Sequence, residues 1–303
     1  MSLRPIAGIR TAQPHIEGAG VKLHRAFGFQ DPSELDPFLL FDDFRNENPE
    51  DYLRGFPWHP HRGIETITYV LSGTVEHGDS LGNRGTLGAG DVQWMTAGSG
   101  ILHQEMPAGN AQGQMHGFQL WGNLPSGQKM CAPRYQDVKG TEIPEVIDDD
   151  GTRVKVITGE FWGKRGPVDG IAADPQYLDI HVPAGVKKTF RIDTYRRAFA
   201  YVFEGAAAFA DASAPQGVLL EKEVAGQEVN IRDMSGNRSL IRFGTGDEIT
   251  LQAGPEGVRF LLISGAPIEE PVAWHGPIVM NTQAELQQAF RELRNGTFIK
   301  PAH

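Results

Sequence analysis

FPWHPHRGIETITYVLSG, residues 56–73, and GDVQWMTAGSGILHQEMP, residues 90–107, decide how this chain is read. His59 and His61 are separated by one residue in the first stretch, and so are His103 and Glu105 in the second. Side chains alternate faces along a β-strand, so each pair presents two donors to one point. With the two strands side by side, three imidazoles and one carboxylate converge, a donor set suited to a divalent iron, copper, nickel or zinc ion. The β-branched and aromatic residues from Ile64 to Val70 read as a strand ended by Ser72-Gly73. The second stretch, punctuated by glycine, reads as short strands and tight turns. Together they predict a small antiparallel β-barrel.

The donors set the chemistry. Imidazole binds a metal through a lone pair, so His59, His61 and His103 must be neutral to bind, and acid should release the ion. Three nitrogens and one oxygen leave about two positions of an octahedral ion open, which describes a redox or Lewis-acid centre rather than a closed structural one. Single histidines are usually ordinary barrel residues with satisfied hydrogen bonds. Two spaced pairs of ionisable groups in an apolar interior are costly to bury without a ligand. His77 and His116 lack such pairing and stay outside the ligand set, while Gln119 and Trp121 on the following strand are candidate cavity-lining residues. His15, His24, His181 and His275 are isolated and read as core or surface residues.

The two stretches resemble the paired motifs of the cupin barrel, and their wording resembles the pirin family. The likeness extends to DPFLLFDDFR (36–45), HGFQLWGNLP (116–125) and GPIVMNTQAELQQAFRELRNGTF (276–298), and so covers most of the chain. The resemblance implies an all-β bicupin, two cupin-type antiparallel β-barrels with a short C-terminal α-helix. It also implies one metal site in the N-terminal barrel held by His59, His61, His103 and Glu105. That ion is usually Fe(II), with Cu, Ni, Mn, Co or Zn as alternatives. General cupins carry a glutamate shortly after the first histidine pair, which makes Glu65 a rival to Glu105; the pirin pattern and the parity with His103 favour Glu105. The general second motif expects proline where this chain has Thr96.

Two functions follow from the resemblance. One is an enzyme, a quercetin 2,3-dioxygenase-type oxidoreductase that opens a flavonol or other phenolic substrate with dioxygen and releases carbon monoxide, with Glu105 as general base. The other is a non-enzymatic, redox-responsive iron protein acting through contacts with a transcription factor or metabolic enzyme.

Length and composition frame these readings. A chain of 303 residues suggests two domains. The expected division is 1–140 as the metal-bearing barrel and 141–281 as a second barrel without ligands, with a helix at 282–296 packing back on the first. The acidic cluster Asp148–Asp150 reads as a solvated linker. Gly 37 and Pro 20 suit many tight turns. A net charge of −10 argues against DNA, RNA or an anionic membrane as a direct partner. The single cysteine, Cys131, cannot form an internal disulfide and reads as a small packing residue. No apolar leader or membrane-length run is present, so a cytoplasmic monomer is expected. Asp42, Asp43, Asn46, Glu47 and Glu50 lack the spacing of a calcium loop and read as a solvated loop. Thr282 and Glu285 form a capping-box pattern ahead of the stripe Leu286, Phe290 and Leu293, with Asn295-Gly296 as the stop.

Overall fold

The structure, a computed structural model, describes residues 1–30, 32–213, 221–224, 227–230 and 234–300. The chain forms two compact units that interleave in sequence. One comprises Gln13–Glu142, Gly170–Ala173 and Ile268–His303; the other comprises Met1–Ala12, Ile143–Asp169 and Asp174–Pro267. Both are mostly β, and each is a cupin domain.

The first unit holds every expected ligand. Its strands are β1 (Gln13–Glu17), β2 (Val21–Phe27), β3 (Phe38–Asp43), β4 (Phe56–His61), β5 (Ile64–Ser72), β6 (Thr74–Asp79), β7 (Arg84–Leu87), β8 (Val92–Thr96), β9 (Ile101–Ala108), β10 (His116–Asn123) and β11 (Arg134–Val138). They form two antiparallel sheets, in the orders β11-β8-β5-β10-β3-β2-β1 and β4-β9-β6-β7. The larger sheet buries one apolar face made of Ile67, Tyr69, Phe118 and Leu120, while Leu40, Asp42, Thr68, Gln119 and Trp121 share its opposite face, toward the site described below. The smaller sheet carries a polar interior instead, with His103, Glu105, His77 and Asp79 buried.

Between His61 and Ile64 the chain leaves one sheet and enters the other, and Gly63 makes the corner at φ +76°. A Cβ on Gly63 would lie 1.9 Å from the Val279 carbonyl oxygen, so the corner has room only for glycine. The first motif is thus two strands meeting at a corner.

The tail of the first unit is a hairpin, β12 (Ala273–His275) and β13 (Ile278–Met280), followed by α1 (Gln283–Arg294). Thr282 accepts from the Glu285 backbone N–H while the Glu285 carboxylate accepts from the Thr282 N–H, and Gly296 follows the helix at φ +70°. Leu286 is buried, and Phe290 and Leu293 pack beside it on Ile278, Met280 and Phe298. The stripe faces the interior as its period requires.

The second unit is built on a nine-stranded sheet around a core that includes Val154, Leu178, Phe190, Val202, Leu251 and Phe260. Its edge is Ile6–Thr11, paired antiparallel with Ser239–Phe243. The sequence division at 140 therefore needs correction at both ends of the chain, besides the short segment Gly170–Ala173. The first twelve residues leave the metal-bearing unit because they complete this ladder and because Arg4 buries its guanidinium against the carbonyls of Asp193, Arg196 and Gly244. Residues 268–281 join the metal-bearing unit because β12 and β13 bond within it.

Candidate metal centre

β4 and β9 run antiparallel side by side, with His59 opposite His103 and His61 opposite Ile101. Period-two alternation then turns all three imidazoles to one point, where one nitrogen from each lies within 4.8 Å of the others. His103 is fully buried, His61 nearly so, and His59 stands at the mouth.

The proton placement at this cluster is fixed by its partners. His59 Nδ1 lies 2.9 Å from the Pro57 carbonyl oxygen, and His61 Nδ1 lies 3.1 Å from that of Pro277. A carbonyl only accepts, so both Nδ1 atoms carry the proton and both Nε2 atoms present lone pairs. Those two Nε2 atoms are 3.1 Å apart. Lone pairs at that distance repel unless a cation sits between them. A proton is a poor candidate, because burial and the neighbouring imidazoles push His61 and His103 well below the ordinary histidine range. Both ring nitrogens of His103 are buried without a hydrogen-bond partner. An orphaned imidazole aimed at two converging lone pairs is what a metal ion would satisfy. The residues therefore fit a divalent ion.

Glu105 follows His103 on β9 after a register shift and does not join the three nitrogens. It lines the same cavity. Its carboxylate is 3.0 Å from Thr68 Oγ1, which is also 2.8 Å from Gln119 Oε1. One hydroxyl proton cannot serve two acceptors. Either Glu105 is protonated and donates to Thr68, or the Gln119 amide is turned with its nitrogen toward Thr68. Burial pushes Glu105 up to about 7, so both forms are accessible near neutrality.

Glu65, the rival ligand, is elsewhere. The corner at Gly63 breaks the strand parity it would need, so it projects from β5, where burial pushes it up to about 7 and Thr96 donates to it at 2.7 Å. Thr96 thus occupies the proline position of the general motif as the partner of Glu65.

A cavity of about 420 Å³ opens at the histidines. Phe29, Leu40, Phe44, Phe56 and Trp121 supply apolar walls, and Gln119, Asp42 and Arg25 supply polar ones. The solvated-loop reading fails for Asp42 and Asp43. Both are buried on β3, where Arg25 holds Asp42 through two bonds of 2.8 and 2.7 Å and Arg45 holds Asp43 at 2.9 Å. Sequence reasoning missed Arg25 and Phe29 and put Asp42 in a loop; the apolar run FLLF leading straight into Asp42 and Asp43 was the available signal for one buried strand. His77 is buried with its ring 5.4 Å from that of His103 and does not join the cluster. Cys131 is half-buried and burial raises its thiol, so it is a poor nucleophile.

Two cupin units, one of them carrying a three-histidine cluster able to hold a metal ion beside a small-molecule cavity, define a bicupin of the metal-binding kind. Residues 20–122 match the pirin family and residues 177–299 match the pirin C-terminal cupin domain. The chain is 42% identical over 299 residues to a pirin-like protein of Caulobacter vibrioides, covering 98% of this chain and 100% of the relative. It is 39% identical to human pirin over 281 residues, covering 92% and 88% of the two chains. A crystal structure of a quercetin 2,3-dioxygenase from Acinetobacter baumannii superposes with a TM-score of 0.83 at 30% identity, covering 98% of this chain and 99% of that one. This chain belongs to the pirin family. Among the described residues, no helix is long and apolar enough to cross a membrane.

Proposed function

We propose that this protein is a ferrous-iron dioxygenase acting on a flat phenolic substrate of the flavonol type. The observation that carries the reading is the pair of Nε2 lone pairs 3.1 Å apart, with the orphaned His103 beside them, at the floor of an aromatic-walled cavity. His59, His61 and His103 would hold the ion through nitrogen, with Glu105 as the fourth donor from the same cavity. When bound, the metal supplies open positions and one-electron chemistry for dioxygen and a phenolate oxygen.

The chain's own residues do the rest. Phe29, Phe56 and Trp121 offer flat apolar area on which an aromatic ring packs, and the cavity volume of about 420 Å³ falls in the range of small-molecule sites. Gln119 and Asp42 orient hydroxyl groups. Released from the ion, the Glu105 carboxylate would take the proton of the substrate hydroxyl, since a group at about 7 is poised to receive a proton at neutral pH. Thr68 holds that carboxylate in place. The named activity of the Acinetobacter structure supports the same substrate class.

Dioxygen uptake tests this. Metal-quantified protein loaded anaerobically with ferrous iron is mixed with quercetin, beside a His59→Ala/His61→Ala control. The expected result is oxygen consumption with carbon monoxide release, lost in the control. Stoichiometric iron without uptake would sink the dioxygenase reading and favour a regulator that uses the iron in contacts with a protein partner. Glu105→Gln with intact metal and full activity would remove the base role.

A further inference from the structure

The strand that carries His59 and His61 is gripped by a distant part of the chain. The Gly276-Pro277 turn between β12 and β13 brings the Pro277 carbonyl to 3.1 Å from His61 Nδ1. Two residues on, the Val279 N–H donates to the Arg62 carbonyl at 3.1 Å, and Arg62 and Ile278 form a parallel bridge. The chain then passes through α1 and returns to the Arg62 side chain. That guanidinium, only 2% exposed, meets the Glu292 carboxylate at 2.8 Å and donates to the Phe298 carbonyl at 2.9 Å. It also lies 4.2 Å from the centre of the Phe298 ring and donates through Nε to the Ser99 carbonyl at 2.8 Å. Residues 277–298 therefore close a loop that grips Arg62 twice, by its backbone at one end and its side chain at the other.

Arg62 is the neighbour of His61, and the two ligands of β4 are oriented differently. A carbonyl that accepts from the far nitrogen of a ligand imidazole fixes its tautomer and its angle. His59 takes that carbonyl from Pro57 on its own strand, whereas His61 takes it from a residue 216 positions later. The angle of His61 thus depends on the seating of the C-terminal segment. The buried guanidinium enforces the seating, because withdrawing Glu292 and Phe298 would leave its charge buried and unpaired. Lys300 bonds to Glu292 at 2.7 Å and extends the same network.

We propose that Arg62 and Glu292 form a clasp that positions the metal ligand His61, by holding the Pro277 carbonyl against its Nδ1. The clasp acts through another residue and touches neither substrate nor metal. The inference rests on the metal reading above in one respect, that His61 is a ligand.

A clasp that merely held the helix down would alter stability alone. The full-length protein is titrated with Co(II) as probe, with affinity read by chelator competition and geometry by the visible absorption band. Glu292→Gln is the first variant, because it keeps the shape of a side chain at the edge of the interior and removes only the charge that meets Arg62; Arg62→Lys and Arg62→Met follow. Leu251→Ala, in the core of the second unit, serves as a destabilised control. The expected result is Co(II) binding weakened about tenfold in Glu292→Gln and Arg62→Met, with a shifted band and partial recovery in Arg62→Lys. The control should lose thermal midpoint with affinity and band unchanged. Clasp variants that lose midpoint yet keep wild-type affinity and spectrum would overturn the proposal. If Arg62→Met does not fold, Glu292→Gln decides alone. Wild-type protein that takes up no Co(II) defeats the metal reading and the clasp together.

Discussion

His103 is the most costly residue of the site in the absence of a metal. Its two nitrogens are buried and unpartnered, and each such group costs about 1–3 kcal/mol when left unsatisfied. Leucine has a similar volume and no polar atom. His103→Leu should therefore abolish stoichiometric iron binding while raising the stability of metal-free protein by about 1 kcal/mol, read by urea unfolding in chelator. A metal-free variant less stable than the parent would mean that the imidazole has a role besides ligation. Lys129 supplies a pH-dependent counterpart. Its ammonium is buried and donates to the Gly63 carbonyl at 2.8 Å and to Asn123 Oδ1 at 2.5 Å. Burial lowers it to about 7, against the opposing charges of Glu270 and Glu285. The unfolded lysine titrates near 10.5, so between about 7 and 10.5 the unfolded state binds more protons than the folded one. Stability from this group accordingly rises with pH across that window. Urea midpoints at pH 7 and 9.5 should show a larger rise in the parent than in Lys129→Met, and equal rises would refute the assignment. Neither Lys129 nor the cavity residue Arg25 announced itself in the sequence, and Asp42 stood out only as one of an acidic run. Their partners lie at distances set by the fold, whereas the histidines were legible because period two acts between neighbours.

Elements carry their own signals unevenly. The capping box of α1 is written in four residues, and the structure forms both of its hydrogen bonds. Thr282→Ala should cost about 1 kcal/mol, measured by thermal unfolding, with Thr282→Ser nearly neutral. The corner at Gly63 is harder to read, because its requirement comes from Val279, more than two hundred residues away. Gly63→Ala should cost about 2–3 kcal/mol through backbone strain and collision with the Val279 carbonyl, and should loosen β12 and β13. Limited proteolysis would register the loosening as earlier cleavage between 268 and 282; an unchanged pattern would show that the hairpin yields without detaching. The same corner explains why Glu65 looked eligible as a ligand. By spacing alone Glu65 shares strand parity with His59 and His61, and the corner resets that count. Strand existence and the helix were legible from local pattern. The break between β4 and β5 depends on a contact that sequence spacing does not encode.

At the scale of the whole molecule, the chain forms two cupin units with exchanged ends. The division near residue 140 was expected from length and resemblance, but Met1–Ala12 and the segment from Ile268 onward each belong to the unit opposite their position in the chain. A single pass along the chain sees edge strands only as short alternations, and an edge strand's partner is chosen by the sheet it completes. This arrangement gives metal removal a definite footprint. Every residue that orients the three histidines lies in one unit, Pro57 and the β4–β9 ladder from its front and Pro277 from its tail. A ligand that binds only the folded form stabilises by about 2.7 kcal/mol at a hundredfold excess over Kd. That gain should fall on the elements that must open for the ion to leave. Hydrogen exchange of iron-loaded and chelator-treated protein should therefore show slower exchange on loading in 56–61, 101–105 and 276–280. Amides of the second unit's nine-stranded sheet should exchange at the same rate in both samples. Protection spread evenly over both units would mean that the ion stabilises the chain as one cooperative block, and the site's dependence on its own tail would lose its distinguishing mark.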